Sequence, residues 1–288
     1  MHRLRISAIS YLNTAPLMWD FEHGPEREGL LEQFDVTYTI PSACAEALRS
    51  GSADIGIIPV AAYATIPGLV ILPGVAIASL NAVRSILLVS RKRLDEVTTV
   101  ALDTSSMTSV TLCKVLLAKW LGGAREYRSM APNLDAMLAS CDAALMIGDP
   151  ALLIQCASYT TVIDLAEEWQ KHTGKPFVFA FWAARQDALA EVEGGTRALV
   201  DEATRLAEVF QRSRDHGLAP ESLQSIAKEW APRLGMNKLE VVHYLTENIH
   251  YSLDPTCQEG LRLFYTLAEA AGVLPRFSFR VGGAASHP

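Results

Sequence analysis

Residues 99–112, which read TVALDTSSMTSVTL, contain the pattern that decides the fold. The short run Thr99–Leu102 is typical of a buried strand, and Asp103–Ser106 is a polar turn. A helix is predicted from about Met107 to Leu121, because a pair of glycines follows it. A strand that runs through a polar turn into a helix is the building unit of α/β proteins.

The first quarter of the chain has the same order of elements. Leu4–Ile9 predicts a strand, Ser10–Thr14 a polar turn, and Ile55–Pro59 a buried strand that follows a helix begun by Pro41. In the second copy the corresponding buried strand is Ala143–Ile147, again after a predicted helix. The two copies therefore predict two similar α/β units.

The spacing between the copies is nearly constant. Asn13 and Thr104 are 91 residues apart, and Asp54 and Asp142 are 88 residues apart. We therefore predict an α/β protein of two lobes, each with a mixed sheet flanked by helices. One continuous sheet with a coincidental similarity is the alternative.

Two further apolar runs of strand length, Val83–Ser90 and Phe177–Trp182, are interpreted as crossings between the lobes. This interpretation assigns residues 1–88 and 180–288 to a discontinuous large lobe, and residues 89–179 to a small lobe. Because the apolar residues after position 186 recur at steps of three and four, helices are predicted there that pack on the first lobe. The predicted helices are Ala188–Arg212, Pro220–Trp230, Lys238–Asn248 and Pro255–Ala271, followed by a frayed tail over Val281–Pro288.

Composition excludes several classes of protein. The 288 residues include 25 Lys and Arg against 32 Asp and Glu, a formal charge of −7, which argues against binding to nucleic acid or to an anionic membrane. No apolar run reaches the ~18 residues of a membrane-spanning helix. The 5 cysteines lack C-x-x-C spacing, which is typical of reduced thiols in a cytoplasmic protein without a metal centre.

The candidate site lies where the two strand-to-helix corners meet. Ligands of open α/β sheets bind beyond the carboxyl ends of the strands, so we expect Ser10–Thr14 and Asp103–Ser109 to face one cleft. Helix N-termini and hydroxyl groups there would bind a small carboxylic acid, although one hydroxyl is expected to cap the helix instead. Asp149, directly after a buried strand, is either a catalytic carboxylate or a helix cap.

Several motifs occur in the order of a known family. They are SYLNTAPL at 10–17, VRSILLVS at 83–90, DTSSMTSVTL at 103–112, LMIGDPAL at 145–152 and DLAEEWQKHTGKPFVFAFWA at 164–183.

With this set of motifs the chain resembles chorismate dehydratase, a family of the futalosine route to menaquinone. The resemblance implies the two-lobe fold of type II periplasmic binding proteins, with two hinge crossings. It also implies a cofactor-independent hydro-lyase, a monomer or homodimer that converts chorismate into 3-[(1-carboxyvinyl)oxy]benzoate. The elimination removes a ring hydrogen and the neighbouring hydroxyl, and the ring becomes aromatic.

The resemblance assigns functional roles to Asn13 and Ser85. Neither group is a strong base, so we expect both to orient the substrate and to polarise the departing hydroxyl. The proton acceptor is either a substrate carboxylate or Asp149. Further substrate contacts are predicted from Ser42, Ser79, Arg84, Thr104, Ser105, Ser106, Thr108 and Gly148.

The sequence departs from the family pattern at two places, and two alternative functions are considered. Met107 stands where the family often has Arg, so that charge is either missing or supplied by Arg84, and Asn81-Ala82 replaces the usual Gly-Pro. The sister enzyme, 1,4-dihydroxy-6-naphthoate synthase, uses a His where this chain has Gly148-Asp149. A non-catalytic cytosolic sensor of carboxylates is the other alternative, because a fold does not fix a function.

Overall fold

The computed structural model describes residues 3–189 and 195–277, and the strands of these residues form two separate sheets of five strands each. Two sheets confirm the predicted α/β lobes and exclude one continuous sheet. The strands are β1 Leu4–Ile9, β2 Phe34–Thr39, β3 Ile55–Pro59, β4 Leu69–Ser79, β5 Ile86–Ser90, β6 Thr99–Asp103, β7 Glu126–Met130, β8 Ala143–Ile147, β9 Thr161–Asp164 and β10 Phe177–Arg185.

The two sheets have the same topology. The first sheet has the order β2-β1-β3-β10-β4, and the second has the order β7-β6-β8-β5-β9. In each sheet the first three strands are parallel, and the fourth runs antiparallel to the third. The sequence repeat is therefore a repeat of structure.

Equivalent aspartates bind equivalent backbone groups in the two copies. The Asp54 carboxylate accepts a hydrogen bond from the backbone N–H of Arg5 at 2.9 Å, at the beginning of β1. The Asp142 carboxylate accepts hydrogen bonds from the backbone N–H groups of Thr98 at 2.9 Å and Thr99 at 3.1 Å, at the beginning of β6. Each aspartate thus joins the beginning of a buried strand to its parallel neighbour.

Most of each predicted crossing lies inside a sheet. Ile86–Ser90, the greater part of the first predicted crossing, is a strand inside the second sheet, and Phe177–Arg185 is a strand inside the first sheet. Both are buried inner strands, and an apolar run looks the same whether it joins lobes or fills a sheet. Predicted boundaries after residues 88 and 179 would cut these strands, so we propose boundaries at the short links 80–85 and 174–176.

The helices cover both sheets. The α-helices are α1 Trp19–Glu22, α2 Arg27–Gln33, α3 Pro41–Ser50, α4 Val60–Tyr63, α5 Thr108–Lys119, α6 Leu134–Ser140, α7 Gly148–Leu152, α8 Leu165–Thr173, α9 Gln186–Leu189, α10 Gly195–Gly217, α11 Pro220–Leu234, α12 Lys238–His243 and α13 Pro255–Ala270. Short 3-10 helices span Leu12–Met18, Leu94–Glu96 and Cys156–Ser158, and a π-helix spans Tyr244–Asn248.

The C-terminal helices pack on the first sheet, as predicted, but not on it alone. Helix α10 packs on β4 and on the 3-10 helix Leu12–Met18, whereas α13 contacts both β10 and α5 of the small lobe. The predicted helix Ala188–Arg212 is α9 and α10, and residues 190–194 between them and the tail Val281–Pro288 lie outside the described residues. Among the helices that the structure describes, none is long and apolar enough to cross a membrane.

The Asp142 contacts predict a specific loss of stability. The Lys92 ammonium and the backbone donors hold the pKa of Asp142 well below its ordinary value. Asp142→Ala is expected to lower the free energy of unfolding by about 2 kcal/mol near neutral pH, because several donors lose a charged acceptor. Since the pKa is lowered in the fold, this contribution is present above about pH 4 and is lost as the pH falls further.

Urea denaturation near neutral pH and at about pH 2 measures this difference. The control is Asp95→Ala, because the Asp95 side chain is 68% exposed and pairs with an exposed arginine. It is expected to change the free energy of unfolding by less than about 0.5 kcal/mol. Equal losses in the two variants would contradict a role for Asp142 in joining the strands.

Candidate active site

A cavity of about 50 Å³ lies between the two lobes. Both predicted corners contribute to its wall, so the structure brings Asn13 and Ser106 to one cavity. Among the described residues that line it, none carries a charge at neutral pH. The lining residues are Ile9, Tyr11, Asn13, Pro41, Pro59, Ile77, Ser85, Ile86, Ser106, Thr108, Ser109, Ile147, Gly148, Phe179 and Ala180.

The first corner is held by its own turn and by the opposite lobe. After β1, the extended backbone of Tyr11 leads into the 3-10 helix that begins at Leu12. The Leu12 N–H donates to the Asp149 carboxylate of the small lobe at 3.0 Å. The Thr14 hydroxyl donates to Asn13 Oδ1 at 3.3 Å, which leaves the Asn13 amide nitrogen available as a donor.

The second corner uses most of its hydroxyls for the protein itself. Ser105 Oγ donates to the buried Asp103 carboxylate at 2.6 Å, and Ser106 Oγ accepts the Ser109 N–H at 3.1 Å at the start of α5. Thr108 Oγ1 donates to the Phe179 carbonyl at 3.0 Å. Ser106, Thr108 and Ser109 still line the cavity, so part of the predicted hydroxyl cluster faces it.

Ser85 follows a strained residue in the crossing between the lobes. The preceding Arg84 has a φ of +61°, which is unusual for a residue with a side chain. The Asp164 carboxylate holds this backbone, since it accepts the N–H groups of Val83 at 3.2 Å and Arg84 at 2.6 Å. Ser85 itself is buried and lines the cavity, and its Oγ accepts a hydrogen bond from the Tyr244 hydroxyl at 2.8 Å.

Asp149 does not cap the helix that it helps to begin. No side-chain cap is present on α7, and the carboxylate instead accepts the Leu12 N–H across the cleft. Burial raises the pKa of Asp149 to about 6, while the Leu12 donor opposes the shift. Its neighbour Gly148 lines the cavity, whereas Asp149 does not. The carboxylate therefore lies beside the wall formed by Tyr11 and Gly148.

Gly148 permits the close contact of the two corners. Its φ of +65° is in the left-handed region, and a Cβ there would lie 2.6 Å from the Tyr11 ring. Any side chain at this position would push Tyr11 out of the wall. Burial raises the pKa of Tyr11, so its phenol stays neutral at physiological pH.

Four predicted substrate contacts lie away from the cavity. Arg84 and Thr104 are exposed, so the charge expected from Arg84 is absent from the wall that the structure describes. Ser79 is buried, and its hydroxyl donates to the Asn81 carbonyl at 2.9 Å. Ser42 joins the lobes through its backbone N–H, which donates to the Ser105 carbonyl at 3.1 Å. Ser105, a fifth prediction, acts through the contacts described above and does not line the cavity.

Sequence reasoning missed Tyr11, Tyr244 and Phe179 as parts of the site. Tyr11 lies inside the SYLN motif, so its position next to Asn13 was a usable signal. Phe179 lies in an apolar run that the prediction assigned to a crossing. Tyr244 is 159 residues from Ser85 along the chain, and no local pattern connects them.

Within the described residues, one group could offer three ligands to a metal ion. The ligand atoms of His250, Asp254 and Cys257 lie within 4.8 Å of one another. Asp254 already accepts hydrogen bonds from His250 Nε2 at 2.7 Å and from the Cys257 N–H at 2.8 Å. This carboxylate caps α13, so the group has a structural explanation and does not line the cavity.

Comparisons with known proteins agree with this architecture. An Archaeoglobus fulgidus protein superposes with a TM-score of 0.66 at 17% identity, covering 95% of this chain and 99% of that chain. The alkanesulfonate-binding protein SsuA of Xanthomonas axonopodis, bound to MOPS, superposes with a TM-score of 0.62 at 17% identity, covering 95% of this chain and 94% of that one. At these identities the similarity shows the periplasmic-binding-protein-like fold, as predicted.

Sequence comparison is more specific. The chorismate dehydratase of Thermus thermophilus is 32% identical over 282 residues, which cover 91% of this chain and 93% of that protein. The chorismate dehydratase of Campylobacter jejuni is 32% identical over 85 residues, which cover 30% and 38% of the two chains. The family described as menaquinone biosynthesis matches residues 4–270. The chain therefore belongs to this menaquinone biosynthesis family, which the sequence motifs predicted.

Proposed function

We propose that this chain is a chorismate dehydratase of menaquinone biosynthesis, which eliminates water from chorismate to give 3-[(1-carboxyvinyl)oxy]benzoate. The nearly full-length similarity to the Thermus thermophilus chorismate dehydratase supports this substrate. The observation that carries the proposal is the pairing of Asn13 and Ser85, whose side chains line one cavity. These are the groups that the family resemblance assigned to the reaction.

The groups around the cavity suit a substrate with two carboxylates. Helices α3 and α5 begin at the cavity, at Pro41 and Thr108, and helix N-termini favour negative charge. Ser106 and Ser109 add hydroxyl groups from the small lobe. We propose that Ser106, Thr108, Ser109 and Gly148 surround one carboxylate, with the first corner on the other side of the substrate.

Asn13 and Ser85 orient the reacting bond. The elimination breaks a ring C–H bond and a C–O bond and forms a ring double bond. Hydrogen bonds from Asn13 and Ser85 to the departing hydroxyl stabilise the negative charge that develops on its oxygen. The ring proton passes to an acceptor and leaves with the hydroxide as water.

Of the two proton acceptors that the sequence left open, we propose the substrate carboxylate. Asp149 does not line the cavity, and both of its oxygens lie within hydrogen-bond distance of the Leu12 N–H, at 3.0 and 3.3 Å. We therefore assign Asp149 a positioning role, because it fixes the backbone at Leu12, next to Asn13. An enzyme of this design is a carbon-oxygen lyase that needs no cofactor, and we place it in the cytoplasm.

Incubation of the purified protein with chorismate tests the proposed function. The expected result is loss of chorismate with formation of the enolpyruvyl benzoate. Chromatography and mass spectrometry measure both compounds. Binding of chorismate without product would favour a sensor, and turnover of a later intermediate of the pathway in place of chorismate would favour the naphthoate synthase reaction.

Replacing Asn13 or Ser85 with Ala is expected to lower kcat about a hundredfold, because each variant loses a donor to the leaving oxygen. KM is expected to change much less, since these contacts strengthen in the transition state. The controls are Asn81→Ala, at an exposed position, and Ser79→Ala, at a buried serine outside the cavity. Steady-state kinetics that give equal losses in the controls would contradict the assignment.

Asp149 predicts a specific pH profile. Because burial raises its pKa to about 6, kcat is expected to decline below that pH, where the carboxyl is neutral and binds the Leu12 N–H less strongly. Asp149→Asn keeps a neutral acceptor, so it is expected to lose less than about tenfold in kcat and to lack the acidic limb. A loss of about a hundredfold or more across the pH range would instead make Asp149 the proton acceptor.

A further inference from the structure

We propose that Tyr244 is a positioning residue of the elimination, whose hydroxyl directs the Ser85 hydrogen into the cavity. The inference rests on the proposed function and extends it to a residue near the far end of the chain. Tyr244 begins the π-helix after α12, and such helices often occur at functional sites.

The hydrogen bond from Tyr244 determines where the hydrogen of the Ser85 hydroxyl can go. The Tyr244 hydroxyl donates to Ser85 Oγ at 2.8 Å, and both side chains are only 1% exposed. A serine hydroxyl has a single hydrogen, which it does not need for a bond that it accepts. Within the described residues, Ser85 Oγ donates to no protein acceptor. Its hydrogen is therefore available to a substrate oxygen in the cavity that Ser85 lines.

Asn13 lies close to the same phenol, and its oxygen accepts the Thr14 hydroxyl. The directed bond runs from Tyr244 to Ser85, so the Ser85 hydrogen is left for the substrate.

A chain of hydrogen bonds in one direction polarises its last member. Ser85 thereby becomes a better donor to the departing hydroxyl than an isolated serine. Burial raises the pKa of Tyr244 well above its ordinary value, so the phenol keeps its hydrogen over the whole physiological range. No proton leaves the chain in this scheme, because Ser85 only hydrogen-bonds the leaving oxygen.

The test is a double-mutant cycle of Tyr244→Phe and Ser85→Ala, measured by steady-state turnover of chorismate. Tyr244→Phe alone is expected to lower kcat about tenfold and to change KM less than about threefold. In the Ser85→Ala background the same change is expected to alter kcat less than about twofold, because its target is already absent. A tenfold loss in that background would overturn the inference.

Tyr251→Phe is the matched control. Tyr251 is a buried tyrosine of the same region, and its hydroxyl has no hydrogen-bond partner in the described part of the chain. It is expected to keep kcat within about twofold of the parent, since no bond to Ser85 is lost. An equal loss in both tyrosine variants would show a packing effect and would overturn the inference.

Two further measurements distinguish a failure of this inference from an unfolded variant and from a failure of the proposed function. If the Tyr244→Phe variant unfolds, fluorotyrosine is incorporated at position 244 instead. Fluorotyrosine retains the hydroxyl but changes its acidity. A change in kcat that requires Ser85 supports the inference, and a change without Ser85 overturns it. Parent protein that does not turn over chorismate overturns the proposed function together with this inference, whereas active parent protein with an additive cycle overturns the inference alone.

Discussion

The site depends on hydrogen bonds that join the two lobes across the cavity. Thr108 Oγ1 accepts the Ala61 N–H at 3.2 Å and donates to the Phe179 carbonyl at 3.0 Å, so one small-lobe hydroxyl binds two backbone groups of the large lobe. The Leu12 N–H binds the Asp149 carboxylate in the same way. Each such bond contributes about 1 kcal/mol net, so a bound ligand can shift the balance between joined and separated lobes.

These contacts explain why the hydroxyl cluster of the second corner is larger than a ligand needs. A buried hydroxyl must find a partner, and Thr108 and Ser105 find theirs in the large lobe and in Asp103. Ser106 accepts the Ser109 N–H and also lines the cavity. One residue therefore combines what the sequence treated as alternatives, because Ser106 binds an N–H group at the start of the helix and also faces the cavity.

Much of the fold could be predicted because its signals are local. The strands Leu4–Ile9, Ile55–Pro59 and Ala143–Ile147 have the predicted bounds, since turn residues or helix-forming residues follow each apolar run. Phe177–Trp182 was predicted to be a lobe crossing because such a crossing and an inner strand have the same apolar composition. The positive φ of Arg84 could not be read from its motif, because the Asp164 carboxylate that binds this backbone lies 80 residues further along the chain.

Sequence patterns also could not predict which residues contact Asn13 and Ser85. Both residues stand in recognisable motifs, and both line the cavity. Tyr244 reaches them only because the C-terminal helices fold back onto the first sheet. Such a contact depends on tertiary packing and has no periodicity or spacing in the sequence. The hydrogen bonding of Ser85 therefore depends on two distant segments, and a sequence motif marks only one of them.

The uncharged wall of the cavity suits the proposed proton acceptor. A cation close to a carboxylate favours its ionised form and lowers its pKa, which makes the carboxylate a weaker base. Arg84, the cation expected at the site, is exposed and does not line the cavity. Amide and hydroxyl donors can orient a carboxylate with a smaller electrostatic effect than a full charge. A substrate carboxylate held in this way keeps more of the basicity that removal of the ring proton requires.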